Sequence, residues 1–568
     1  MIRFGFQSFV DKTMIKPHFS INQIWNPIHK QNQAIFMSER RHDLDALRSF
    51  AMLLGLGLHA SFSFFSAPWP VHDSRQNILL GLVYVAIHGF RMQLFFLLSG
   101  FFTMLLFRRR GIKSLLKQRL ARIVVPLVVG CATIIPAFEI ISKAAIQINR
   151  QEPLVASILS GQLESVRDQL KNKEIASSED HIFHYTMLEW AAMHGSPETI
   201  DLLLQAGIDV NRQNSRGNTP LHLSVYYGRD LAVAKLIELG ADPRISNNSG
   251  DLPIDIRHTS ADAAAETSTL YGLPEMNPEE VVRGREKIVK LLEVRSAENN
   301  TPTVQKIVRN YWSFMASERF RIGHGHWSLH LFQTEMLDHL WFLWFLCWFV
   351  MAFAIAEWFG TLPVSDWRWV FILLSCIPQL FMGGRFGPTF GPDGSFSLLP
   401  QPHMLAYYGC FFFFGVATFD KDEIRNHRNR AWPFLLLASI GLLLPAGIIK
   451  IDNWTLAMIL QPAYAWAMSL GMIGLFQRWF ARPNPTVTWL SDASYWIYLT
   501  HLPLVIVLQV MIRDIPLPSF IKFISLIMVT TLILLITYER FVRYTLIGTM
   551  LNGPRSKQND QTQAISCK

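Results

Sequence analysis

Ten apolar blocks, each near the length of a bilayer crossing, constrain this 568-residue chain more than any other feature. They fall at about residues 46–65, 90–107, 123–141, 339–358, 367–381, 404–419, 432–449, 455–476, 493–511 and 521–537. A run such as DHLWFLWFLCWFVMAFAIAEW belongs in hydrocarbon, where a helix satisfies its own backbone hydrogen bonds. Half of the residues are hydrophobic, with 41 Phe and 17 Trp, and they cluster in the blocks instead of spreading as one large core would require. The pattern predicts an all-α fold, a polytopic membrane protein with about ten transmembrane helices in the lipid bilayer.

The formal net charge of +9 has a topological explanation. Between the second and third blocks lies RRRGIKSLLKQRLAR, with seven Lys/Arg and no acid. By the positive-inside rule this segment is cytoplasmic, as is the flank at Arg40 and Arg41. Alternating crossings then place both chain ends in the cytoplasm. The counts agree: four basic residues in DKDEIRNHRNR, two in QRWFARPNP and five beyond Thr537, against one in each turn on the other side. The basic excess therefore does not point to nucleic acid. Residues 1–38 read as a disordered lead-in without a signal peptide, and Met37, directly before SERRHDLDALR, offers an alternative start. Residues 549–568 read as a disordered tail. Cys131, Cys347, Cys376, Cys410 and Cys567 show no paired spacing, so neither a disulfide framework nor a metal site is expected.

The apolar pattern is interrupted once, between about residues 142 and 339, by a segment of different period. A 33-residue step relates Thr186 to Thr219, Gly195 to Gly228, Leu203 to Leu236, Gly207 to Gly240 and Asp209 to Asp242. The same step takes Asn214 to Asn247, Gly217 to Gly250 and Pro220 to Pro253. This resembles the ankyrin repeat: a TPLH-type opening, paired helices and a glycine after the second helix. SILSGQLESVRDQL reads as a divergent first repeat, and a polar, alanine-rich insertion delays the second helix of the third repeat to about REKIVKLLEV. Residues 152–297 are thus an inserted α-helical ankyrin solenoid whose expected role is to bind an unknown protein partner. It divides the membrane domain into residues 39–142 and 335–548 and, by the charge topology, lies outside the cytoplasm.

Ionisable residues inside the spans mark the candidate site, because a charged group in a bilayer faces the protein interior. Arg48 and His59 are eleven residues apart, about 16 Å of helical rise and within about 20° of one face, with Met52 and Gly55 between them. His88 and Arg91, three apart, are expected on one helix face at the outer start of the second span. Asp338 and His339 open the fourth span, and His501 lies nearer mid-depth in the ninth. Arg48, Arg119 and Arg122 gather at the cytoplasmic mouth, where guanidinium groups suit a polyanion such as a diphosphate. Asp45 is placed to orient Arg48. Topology anchoring explains Arg119 and Arg122 equally well on spacing alone, as hydrogen-bonded packing does for His501 and helix capping for His339. The parts suit a histidine that deprotonates a hydroxyl for attack on an activated acyl group, and equally a proton relay or an anion carrier.

The strings LDALRSFAMLLGLGLHA, HGFRMQLFFLLSGFF, RLARIVVPL, DHLWFLWFL and DASYWIYLTHLPL, in this order, resemble the acyltransferase-3 family of ten-span membrane acyltransferases, nearest to its glucan-succinyltransferase branch. Its R-x10-H motif falls on Arg48 and His59, and its RxxR motif on Arg119 and Arg122. The resemblance implies acyl-CoA as donor, entering from the cytoplasm, and a hydroxyl of an extracytoplasmic glycan as acceptor. It implies His59 as the catalytic base, Arg48 as support for it or for the donor, and Arg119 and Arg122 on the CoA phosphates. The HGFRMQ string would shape the tunnel between donor and acceptor. Depth along the spans expects His59, His88, Arg91 and His339 to line one cavity in the outer half of the membrane, and Arg91, His88, Asp45, His339 and His501 are the candidate substrate-binding residues. The ankyrin insertion departs from the family pattern, where a short outer loop is usual. A membrane-anchored ankyrin scaffold and an anionic-solute transporter are the competing functions. Neither the acyl group, succinyl or acetyl, nor the acceptor is encoded in these motifs.

Overall fold

The computed structural model describes residues 41–148, 153–172, 179–180, 182–214, 216–248, 250–292, 303–323, 328–361, 368–383, 390–419, 430–450 and 453–553. The expected lead-in at 1–38 with Met37, most of the DKDEIRNHRNR loop and the chain beyond 553 lie outside these residues. Helix α1 (His42–Ser61) begins with Asp43 and Asp45 in its first turn, where carboxylates meet the positive end of the helix dipole. Helix α2 (Ile78–His88) is capped by Asn77, whose Oδ1 accepts from the Leu79 amide at 2.9 Å. Helices α3 (Arg91–Arg119) and α4 (Val125–Ile148) are joined by a π turn over Leu120–Val124. The basic segment RRRGIK is therefore helix broken at Gly111, where φ is +73° and an added Cβ would meet nothing within 4 Å.

The insert folds as the 33-residue register requires, in helix pairs α5 (Pro153–Leu159) and α6 (Leu163–Gln169), α7 (Met187–His194) and α8 (Pro197–Gln205), and α9 (Pro220–Tyr226) and α10 (Asp230–Glu238). Thr186 and Glu189 form a reciprocal capping box on α7, and Gly195 ends it at φ +92°. Trp190, Leu203, Leu221, Leu236 and Ile288 are fully or almost fully buried in one continuous core. The third repeat, counted from the copy that starts at Thr186, opens with a 3-10 turn over Pro253–His258. The alanine-rich insertion is itself helix, α11 (Ala261–Leu270), because Ser260 caps the Ala263 amide and alanine carries the best helix propensity. The following helix, α12 (Pro278–Leu292), starts earlier than expected.

Helix α13 (Thr303–Met315) leads back to the membrane part: α14 (Trp341–Trp358), α15 (Val370–Leu374), α16 (Cys376–Gln379), α17 (Pro402–Thr418), α18 (Trp432–Ala438), α19 (Leu444–Ile449), α20 (Trp454–Trp479), α21 (Pro485–Ile512), α22 (Ser519–Thr537) and α23 (Leu546–Asn552). Every predicted block contains helix. Among the described residues, seven stretches are long and apolar enough to cross a membrane, and one of them, Ile78–Ile148, holds two predicted spans. The block at 367–381 falls short: the apolar helical stretch Val370–Gln379 rises about 15 Å, half a bilayer. Helix α17, with 17 residues, sits at the lower limit. The expected tail is also shorter, since α23 runs to Asn552, whose Nδ2 donates to Asp492 O at 2.8 Å and Tyr538 Oη at 3.1 Å.

Helices α3 and α17 cross in backbone contact. A Cβ on Gly100 would fall 1.9 Å from Phe412 O, and one on Gly415 2.0 Å from Leu97 O. Small residues let two membrane helices touch through their backbones, and no side-chain adjustment relieves such a clash. Gly415→Val is expected to abolish recovery of monodisperse, folded protein from detergent extracts, as measured by gel filtration.

The insert packs onto the membrane part. Arg309 of α13 pairs with Asp251 and Asp255 of the third repeat at 2.9 and 3.1 Å. On the same helix, Tyr311 Oη meets His403 Nδ1 at 2.7 Å and Trp312 Nε1 donates to Phe381 O at 3.1 Å. The buried Arg321–Asp262 pair, at 2.8 Å, adds a second bridge. A third comes from the loop between α1 and α2, where His72 stands edge-on to Phe183 at 4.9 Å. Burial pulls the His72 imidazole down to about 4. An unfolded histidine titrates near 6.5, so this contact's stability is complete above that pH, falls as pH drops through the interval and stops changing below about 4. The whole interval is worth about 3 kcal/mol. Amide exchange around Phe183 is expected to accelerate between pH 6.5 and 4 in the wild type, and to show little pH response of this kind in His72→Phe.

Candidate functional site

Two clusters form at opposite ends of α1. At its C-terminal end, His59 meets His501 of α21, ring centroids 5.2 Å apart, and His501 meets His339, which precedes α14, at 5.5 Å. His501 Nδ1 points at the carbonyls of Tyr498 and Ile497, 2.9 and 3.1 Å away. A carbonyl oxygen only accepts, so Nδ1 carries the hydrogen and the buried, unpartnered Nε2 keeps its lone pair. By the same argument His339 donates from Nε2 to Leu499 O at 3.1 Å, which leaves Nδ1 as its lone-pair nitrogen. His59 Nδ1 is likewise buried without a partner. Two residues not picked out in the sequence hold His59 in place. Trp69 stacks over its ring at 6.0 Å, and Gln509 accepts from Trp69 Nε1 at 2.8 Å while donating to His59 O at 3.2 Å.

Arg91 reaches this cluster from the first turn of α3. Its guanidinium lies over Gly55, where a Cβ would fall 1.9 Å from Nη1, one helical turn before His59. Arg91 Nε is buried without a partner, Nη2 makes a 3.4 Å contact to Met92 Sδ, and no carboxylate pairs with Arg91 among the described residues. His88 and Arg91 do not share a helix face, because α2 stops at His88 and α3 starts at Arg91. The break falls at Phe90, where φ is −139°; Gly89 before it keeps helical angles, and a Cβ there would come within 2.7 Å of the Tyr464 ring and 2.8 Å of Phe390. His88 instead stacks on Tyr84 at 5.1 Å, and a Cβ on Gly391 would lie 2.6 Å from its ring. It sits beside the cluster, within electrostatic reach of His59 and Arg91.

At the other end of α1, Arg48 Nη2 donates to Ser491 Oγ at 3.0 Å and lies 3.6 Å from Asp45, as the spacing suggested. Arg119 Nη2 donates to Thr103 Oγ1 at 2.9 Å, and its buried Nε has no partner. Arg48, Arg119 and Arg122 act electrostatically on one another, a concentration of positive charge suited to an anion. Tyr495 Oη donates to the Arg122 carbonyl at 2.5 Å. An open groove of about 830 Å³, lined by Arg119, Lys117, Ile123, Val350 and Trp358, adjoins this cluster.

Helix α21 ties the two ends together. Ser491 touches Arg48, Tyr495 touches Arg122, Tyr498 Oη donates to His339 O at 2.8 Å, and His501 faces His59. Those positions recur at steps of four, three and three, one face of a helix. That spacing was visible in SDASYWIYLTH; the partners it meets were not. Among the described residues no set of His, Cys, Asp or Glu is arranged to hold a metal ion.

Residues 41–148 and 304–539 match the acyltransferase-3 family, described as an acyltransferase domain. Residues 141–247 match ankyrin repeats in three copies. Among curated proteins, glucans biosynthesis protein C of Escherichia coli (strain K12) is 38% identical over 90 residues, which is 16% of this chain and 23% of that protein. The proteins of the same name from Escherichia coli O1:K1 / APEC and O139:H28 align with the same identity and coverage. The chain thus spans 23% of the length of these curated relatives.

Proposed function

The chain belongs to the acyltransferase-3 family, and we propose that it is an integral-membrane O-acyltransferase carrying a succinyl or acetyl group from cytoplasmic acyl-CoA to a hydroxyl of an extracytoplasmic glycan. The supporting observation is the face of α21 that joins a cluster of three arginines to a cluster of three histidines, about 16 Å apart along α1. In this reading the arginine end faces the cytoplasm, as the distribution of Lys and Arg suggests. Arg119 and Arg122 hold the phosphates of the donor, and Arg48, steadied by Asp45 and Ser491, guides the thioester inward. At the histidine end, His59 removes the proton of the acceptor hydroxyl as its oxygen attacks the thioester carbonyl. Arg91 carries the charge of the resulting tetrahedral oxyanion. Collapse breaks the carbon–sulfur bond, and the proton passes from His59 to the departing thiolate. His501 and His339, each locked in one tautomer by a backbone carbonyl, present lone-pair nitrogens to which the acceptor's other hydroxyls can donate.

The ankyrin insert lies at the histidine end, packed against the loop that carries Trp69 and His72. We assign it the recruitment of a protein partner or of the acceptor. Purified protein supplied with succinyl-CoA or acetyl-CoA and a soluble glucan is expected to yield an ester detectable by mass spectrometry. Neither ester formation nor acyl-CoA cleavage with any glucan would favour a scaffold or transporter instead.

A further inference from the structure

Between the third repeat and α13 lies a cavity of about 540 Å³, within the usual range for a small-molecule site. Its wall includes Arg257, Arg285, Arg319, Asn310, Phe314 and Glu286, and none of the acyl-transfer candidates. We propose that this cavity binds a small oxyanion, free or carried on a sugar, gripped by Arg319 against the fixed charge of Arg285.

Arg285 is 5% exposed. Its Nε donates to Val225 O at 3.3 Å, Nη1 to Arg257 O at 3.2 Å and Thr259 O at 2.6 Å, and Nη2 to Tyr226 O and to Thr259 Oγ1 at 3.2 Å. All five N–H groups meet neutral acceptors, and no carboxylate pairs with Arg285 among the described residues. The guanidinium is therefore immobilised while its charge stays uncancelled, which favours an anion in the space it borders.

Arg319 supplies the grip. It is exposed, its Nε donates to Ser317 Oγ at 2.9 Å, and its guanidinium lies 5.2 Å over the Phe314 ring. It forms no ion pair among the described residues, so both Nη groups remain available as the planar fork that matches phosphate or carboxylate oxygens. Of the two carboxylates in the wall, Glu318 is engaged by Arg321 at 2.7 Å, and Glu286 is exposed. Phe314 is half exposed, an apolar surface on which a sugar ring can rest. Since Tyr311 and Trp312 of the same helix contact the membrane part, a ligand here touches both the insert and the element that docks it.

The test is calorimetric titration of the full chain in lipid nanodiscs with inorganic phosphate, glucose 6-phosphate and glucose. Both anions are expected to bind saturably and more weakly as salt rises, and glucose is expected not to bind. Arg319→Ala should weaken anion binding at least about tenfold, and Glu286→Gln should tighten it about threefold by removing a like charge. Equal affinities for phosphate and glucose 6-phosphate would identify a free oxyanion as the ligand, and tighter binding of glucose 6-phosphate an anionic sugar. Absence of binding by both anions, or unchanged affinity in Arg319→Ala, overturns the proposal. The readout is binding at the seam, so it stands or falls apart from acyl transfer.

Discussion

His59→Ala is expected to lower acyl transfer by about 10³-fold, within the range that one positioned general base contributes. The expectation rests on where His59 sits. It is half-buried, its Nδ1 has no protein partner, and Trp69 and Gln509 hold its ring and its backbone carbonyl. Nothing else in the chain hydrogen-bonds through its ring among the described residues, so the substitution deletes chemistry more than structure. Thermal unfolding in detergent should therefore change little. Single-turnover transfer from labelled acyl-CoA measures the effect. A rate within threefold of wild type would remove His59 from the role of base and leave the orientation of the neighbouring histidines to be reinterpreted.

The second large effect is expected at Arg91. Arg91→Met should lower kcat by about 10²-fold while the KM for acyl-CoA stays within a few-fold, the signature of a group that acts on charge developing in the transition state. A cation within the bilayer thickness is costly, and Arg91 has no carboxylate partner among the described residues, so its retention beside His59 points to a negative charge formed there transiently. Gly55→Ala separates position from charge. Its Cβ would fall 1.9 Å from Arg91 Nη1 and force the guanidinium aside while keeping it in the protein. A kcat loss comparable to that of Arg91→Met supports the placement; full activity in Gly55→Ala would show that the guanidinium need not lie over α1. Arg119→Met is the contrast, expected to raise the KM for acyl-CoA with kcat little changed.

Much of this was legible in the sequence where the signal is local. The 33-residue step picked out Thr186 and Gly195 as repeated positions and predicted paired helices; the structure adds that they cap and close α7, roles that depend on residues a few positions apart. The Asp45–Arg48 pair, one helical turn apart, was legible for the same reason. The long-range partners were not. His501 and His59 meet because α1 and α21 pack face to face, and no periodicity in either block specifies its rotation about the helix axis. Gln509, a residue with no obvious chemistry in an apolar run, gains its role only by reaching across to His59 O. The same limit explains His88 and Arg91: spacing predicted one face, but the backbone leaves the helix at Phe90, where φ is −139°, so one helix ends and another begins between them. Hydropathy located all ten blocks yet did not show that the one at 367–381 is half length, because apolar composition is shared by full and partial crossings.

In the proposed mechanism the arginine end receives the donor and the histidine end delivers the acyl group on the other side. Proteoliposomes with the protein inserted in one orientation, acyl-labelled CoA added outside and a glucan enclosed in the lumen, test this arrangement. When the arginine end faces outward, labelled glucan ester is expected in the lumen, with free CoA remaining outside and no ester in His59→Ala vesicles. Ester formed only when donor and acceptor share one side, or labelled acyl-CoA entering the lumen intact, would rule out transfer across the membrane by this protein.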